Sequence, residues 1–127
     1  MTIRRSLALC TLVLALAACA PEDVTPTEPF ALDGTSLILE PIPQAVCDPA
    51  QPYAVRVRWS VSDWAEPKFD FHIGSSKGQL WARVNEAEGE STSDPWVRPG
   101  MWFVMLDRES RQLVAATPAP ALECPAD

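Results

Sequence analysis

Asp70 and His72 alternate along one stretch of this chain, and Ser60, Ser62, Ser75 and Ser76 lie on either side of it. A carboxylate, an imidazole and a hydroxyl are the parts of a nucleophilic constellation. No G-x-S-x-G elbow accompanies them, no helical pattern offers an oxyanion hole, and an outward His beside an outward Asp is ordinary on a wet strand face. No catalytic residue is assigned, and the chain is expected not to be an enzyme. Glu86, Glu88, Glu90 and Asp94 are the second group, since alternate carboxylates on an extended segment point the same way and oxygen suits calcium. They lack the spacing of a calcium loop and read better as a solvated acidic loop that keeps a sheet edge from pairing. Tryptophan is the third group, with five in 127 residues. Trp59 belongs to the inner face of its own strand, but the alternation that puts Leu80, Ala82, Phe103 and Met105 inside turns Trp81 and Trp102 outward, as an exposed aromatic face for a sugar ring or a peptide. The competing reading is that the middle strands are covered on both sides, by a loop or by the N-terminal segment.

The elements that must position these side chains read as strands. Short apolar runs punctuated by turn residues indicate an all-β sandwich or barrel. Seven runs can be counted: 36–40, 53–61, 68–73, 79–84, a strand reaching Trp96 and Val97, 101–106 and 112–116. The clearest is the second, where Tyr53, Val55, Val57, Trp59 and Val61 alternate with Arg56, Arg58 and Ser60. In the third, Phe69, Phe71 and Ile73 face inward against Lys68, Asp70 and His72, and in the fourth Leu80, Ala82 and Val84 face inward against Trp81 and Arg83. Residues 85–94 are expected to form a loop, Arg98-Pro99-Gly100-Met101 to form a type II turn, and 101–106 to be apolar on both faces. Pro118, Pro120 and Pro125 rule out a terminal helix.

At the other end, Arg4 and Arg5 precede an apolar run too short to span a bilayer comfortably, which closes on Leu16-Ala17-Ala18-Cys19. This is a secretory signal rather than a membrane helix. It resembles the bacterial lipoprotein signal, and the resemblance implies cleavage after residue 18, acylation of Cys19 and anchoring in a membrane. Ala20 in place of Asp implies, by the same likeness, sorting to the outer membrane of the cell envelope. The expected division is then 1–18 signal peptide, 19–34 lipidated Cys and disordered tether, and 35–127 folded domain. The Pro/Thr/acid-rich tether would reach up to about 40 Å outward, at roughly 3.1 Å per residue.

With Cys10 lost and Cys19 acylated, only Cys47 and Cys124 remain. An exported chain in an oxidising compartment would pair them. Their positions after the first and last strands would bring them to one pole of a seven-stranded sandwich. Two distant thiols and a single His fall short of a zinc ligand set, so no metal and no cofactor is expected. Without the signal, eight basic residues face seventeen acidic ones, a balance of −9 that makes nucleic acid an unsuitable partner.

Val55-Arg-Val-Arg-Trp59, Leu80-Trp-Ala and Pro95-Trp-Val-Arg-Pro-Gly100, followed by Phe103 and Asp107, resemble an immunoglobulin-like or fibronectin type III-like sandwich of bacterial exported proteins. The resemblance implies a spacer or binding domain without a shared catalytic set. Together these readings give the expectation of a membrane-anchored, non-enzymatic binding module for an envelope protein or glycan, or else an accessory lipoprotein of an envelope assembly.

Overall fold

A computed structural model describes residues 22–125, so the signal peptide, the expected acylation site Cys19 and the first residues of the tether lie outside the described residues. The described chain is all-β: β1 (Phe30–Ala31), β2 (Thr35–Pro41), β3 (Val55–Val61), β4 (Phe69–Ile73), β5 (Gln79–Val84), β6 (Glu88–Thr92), β7 (Trp102–Asp107) and β8 (Leu113–Pro118). They form two antiparallel sheets, one ordered β1-β8-β7-β4-β5 and the other β2-β3-β6. The alternation of β3 holds throughout, with Tyr53, Val55, Val57, Trp59 and Val61 buried. They meet Phe69, Phe71, Phe103, Met105 and Val114 from the facing sheet. Each such side chain contributes about 1.5–3 kcal/mol on leaving water. β7 is buried on both faces, Phe103 and Met105 inward and Val104 and Leu106 in a second cluster with Ala116.

The type II turn is present: the Met101 amide donates to the Arg98 carbonyl at 3.2 Å, and Gly100 takes φ +84°, which favours glycine. The strand expected at Trp96 and Val97 reduces to a single bridge between Val97 and Tyr53. Two strands were not expected, β1 in the tether segment and β6, which lies inside the expected loop. The register of β6 puts Gly89 opposite Trp59 and Ser91 opposite Val57, so its inward positions carry no large apolar residue and leave no hydrophobic signature. The Trp59 ring fills the space instead, and a Cβ on Gly89 would stand 2.7 Å from it.

The segment expected to be a free tether is built into the domain from Asp23 onward. Phe30 and Ala31 pair with Ala116 and Ala115 of β8, and the Leu32 amide donates to the Val114 carbonyl. Further upstream, the Val24 amide donates to Ser76 Oγ at 2.7 Å and the Ser76 amide to the Val24 carbonyl at 2.9 Å, while Asp23 Oδ1 accepts from the Lys77 amide at 2.9 Å. An unpaired edge of β8 and an open β4–β5 loop supply hydrogen-bonding groups that a spacer would otherwise leave to water.

Cys47 and Cys124 form the expected disulfide, with Cα atoms 5.6 Å apart and a sequence separation of 77.

Candidate functional site

β5 is the element whose side chains depart most from simple alternation. Phe69, Asp70 and Phe71 pair with Val84, Arg83 and Ala82, but His72 pairs with Leu80, so Trp81 is an extra residue opposite the Phe71–His72 step. Such a bulge re-aims the side chains beyond it. Leu80, expected inward, is 40% exposed, and Trp81, expected outward, turns toward the core. Its ring centroid lies 5.5 Å from Phe103, 6.0 Å from Phe71 and 6.4 Å from Trp96, edge-on to each. Trp96 in turn stacks on Phe103 at 6.0 Å.

Trp102 stands on the other face of the same sheet, beside Val104, Leu106 and Leu113. Trp81 and Trp102, expected to share one exposed face, are both half-buried and pack in different clusters. The aromatic partner of Trp81 is Trp96, from the segment expected to end a strand.

Trp81 and Trp96 share a cavity of about 420 Å³ with Ile73, Gln79, Leu80 and Met101. The Trp96 amide donates to the Asp94 carbonyl at 2.8 Å, and the Pro99-Gly100 turn delivers Met101. Both rings are half-buried and line the cavity, Trp81 held edge-on and Trp96 face-on against Phe103. Gln79 is the one amide in the lining, and no lining residue titrates. This arrangement suits stacking against a sugar ring or an apolar side chain, with an amide for orientation, rather than proton transfer. A larger cavity of about 700 Å³ lies beside the disulfide between Pro41–Ala45 and Pro120–Glu123, walled mainly by proline and alkyl groups.

Asp70 and His72 lie on the outer face of β4 as expected, but they are covered rather than wet. Asp70, only 1% exposed, takes Arg108 Nε at 3.0 Å, Arg111 Nη1 at 3.1 Å and Arg83 Nε at 3.4 Å. The Gly78 carbonyl accepts from His72 Nδ1 at 2.7 Å, which leaves Nε2 to accept from Arg111 Nη2 at 3.0 Å. Both ring nitrogens are thereby committed to protein groups other than a serine hydroxyl. Arg111 reaches this position from a left-handed backbone, φ +62°, at the end of the β7–β8 turn. The Ser76 hydroxyl is engaged by Val24 and Asp23. The nucleophilic constellation drawn from the sequence is thus not assembled. What the sequence missed is that Arg108 and Arg111, some forty residues away, close over Asp70.

The acidic group is dispersed as well. Glu90 pairs with Arg58 at 3.3 Å, the Glu86 carbonyl accepts from the Trp59 indole at 3.0 Å, and Glu88 lies on β6. Among the described residues no three His, Cys, Asp or Glu side chains group as metal ligands would.

Asp107 organises the opposite end of the sandwich. Burial pushes its carboxyl up, but the hydroxyl and amide of Ser110, both 2.7 Å from Oδ2, and the Trp64 indole at 3.3 Å outweigh that and hold it below the usual range.

Compared with known proteins, the chain matches no family model, and neither curated proteins nor solved structures give a match.

Proposed function

We propose that this chain is an exported lipoprotein, acylated at Cys19 and held in the outer membrane, whose sandwich is a non-enzymatic binding module for an envelope glycan or protein. The observation that carries the binding role is the cavity shared by Trp81 and Trp96, rigid at its base and open at its rim. The anchor draws on Leu16-Ala17-Ala18-Cys19 after its apolar run. Several acyl chains together give stable anchoring where a single chain is marginal. The immunoglobulin-like or fibronectin type III-like assignment belongs to the same proposal. It is supported by β2-β3-β6 facing β8-β7-β4-β5, by a Trp in the central strand of the smaller sheet, and by connections that cross between sheets. Modules of this architecture owe their partner to surface sites rather than to the fold.

The test is titration of the protein with envelope glycan fragments and with envelope protein extracts, followed by tryptophan emission, for wild type and for Trp81→Phe and Trp96→Phe. A saturable emission change that weakens in both variants supports the module. Wild-type emission that responds to neither class of ligand overturns it and leaves the accessory-lipoprotein reading. That second reading is favoured by one observation, the packing of both Trp81 and Trp102 against buried residues, which makes each ring partly structural.

A further inference from the structure

We propose that the β4–β5 end of the sandwich rests on the bilayer surface, so that the membrane itself is the partner of the apolar side chains exposed there. The inference rests on acylation of Cys19 and adds to it an orientation. Cys19 precedes Asp23 by four residues, and a fully extended chain covers at most about 3.3–3.6 Å per residue. The lipid attachment point therefore lies within about 14 Å of Asp23. Asp23 and Val24 are fastened to Ser76 and Lys77 by four hydrogen bonds, two of them between Val24 and Ser76 and two accepted by Asp23 Oδ1. While these hold, the domain has no long spacer and cannot stand off.

The side chains nearest that attachment are suited to a lipid surface. Val24, held to Ser76 of the loop, is 44% exposed, and Leu80, just after the loop, is 40% exposed, with Lys77 in the loop itself. Trp81, Trp96 and Met101 open beside Leu80, and indole rings are favoured at the headgroup level. Glu22, Asp23 and Glu28 outnumber Lys77 here, so the attraction is apolar rather than electrostatic, and zwitterionic lipid is the preferred surface. Because the anchor raises the effective concentration of bilayer to the millimolar range or above, a contact too weak to recruit a soluble protein suffices to orient an anchored one. The aromatic cavity then meets its ligand at the membrane surface.

The experiment uses the mature protein extracted from membranes and reconstituted in phosphatidylcholine vesicles brominated near the headgroup end of the acyl chains. Intact mass is measured first: a chain without acyl groups overturns the anchor, independently of orientation. For acylated protein, the expected result is quenching of tryptophan emission by brominated lipid. That quenching falls at least about twofold in Trp81→Phe and in Asp23→Ala, which removes two of the four hydrogen bonds and so weakens the hold on the N-terminal segment, and is unchanged in Trp64→Phe at the other end. Equal melting midpoints for wild type and Asp23→Ala show that the domain is intact. Acylated protein with no quenching, or with quenching that Asp23→Ala leaves unaltered, overturns the orientation. Partial replacement by anionic lipid is expected to reduce the quenching, and an increase would overturn the apolar account of it.

Discussion

Trp59 occupies volume that belongs to two strands, its own and the part of β6 where Gly89 has no side chain. Trp59→Ala is expected to cost about 3–5 kcal/mol, and Gly89→Ala about 1–3 kcal/mol because the new methyl meets ring rather than space. Urea melts at constant slope measure both. Trp81→Ala is expected to cost about 2 kcal/mol, above the roughly 0.5 kcal/mol of a surface change, since three aromatic neighbours lose a partner. Asp107 gives a pH signature. Its folded pKa is lowered, so the stability it contributes is complete above the ordinary carboxylate range and is lost as pH falls through the folded value. The difference in stability between wild type and Asp107→Asn is therefore expected to shrink as denaturation is repeated from about pH 7 down to about pH 3. At this scale the sequence was legible where a side chain reports its own environment, as Val55, Val57 and Trp59 do. It was illegible where the environment comes from afar: nothing near Asp70 announces that Arg111 will reach it from a left-handed turn.

β3 and β4 could be read because alternation with period two survives in any strand that has one face in the core. β5 obeyed the rule only from Ala82 to Val84, since a bulge inserts one residue without changing composition, and Trp81 and Leu80 before it swap face. β6 carries its instructions in small and charged residues, which are also those of a loop. Its charges protect it: β6 and β5 are sheet edges, and Glu88, Glu90, Arg83 and the bulge all discourage pairing with another chain. Replacing Glu88 and Glu90 together by Thr is expected to leave the urea midpoint nearly unchanged while raising light scattering on heating, as self-association through the edge is no longer opposed. The ion cluster works between elements, drawing the β7–β8 turn onto β4 and β5 through Asp70. Asp70→Ala is expected to destabilise by about 3–5 kcal/mol, because it strands guanidinium groups arranged around a missing carboxylate. The same melts that rank the tryptophan variants would rank it.

For the molecule as a whole, the two-sheet architecture and its disulfide were legible because both follow from chain-wide accounting of strands and of thiols. The docking of the N-terminal segment was not, because Pro, Thr and acids describe a spacer equally well whether or not its ends find partners. The disulfide should stabilise by up to about 4.5 kcal/mol in the chain-entropy model, so reductant is expected to lower the urea midpoint markedly while peptide mapping without reduction recovers Cys47 linked to Cys124. The same bond has a mechanical meaning. If this protein is attached to the membrane at one end and a partner pulls on the other, tension entering at Cys124 crosses directly to Cys47, bypassing every strand from β3 to β8. Only the short stretch through β1 and β2 then carries load. A chain length of about 260 Å stays in reserve behind a covalent clasp, and single-molecule extension should release it solely in the presence of a reductant.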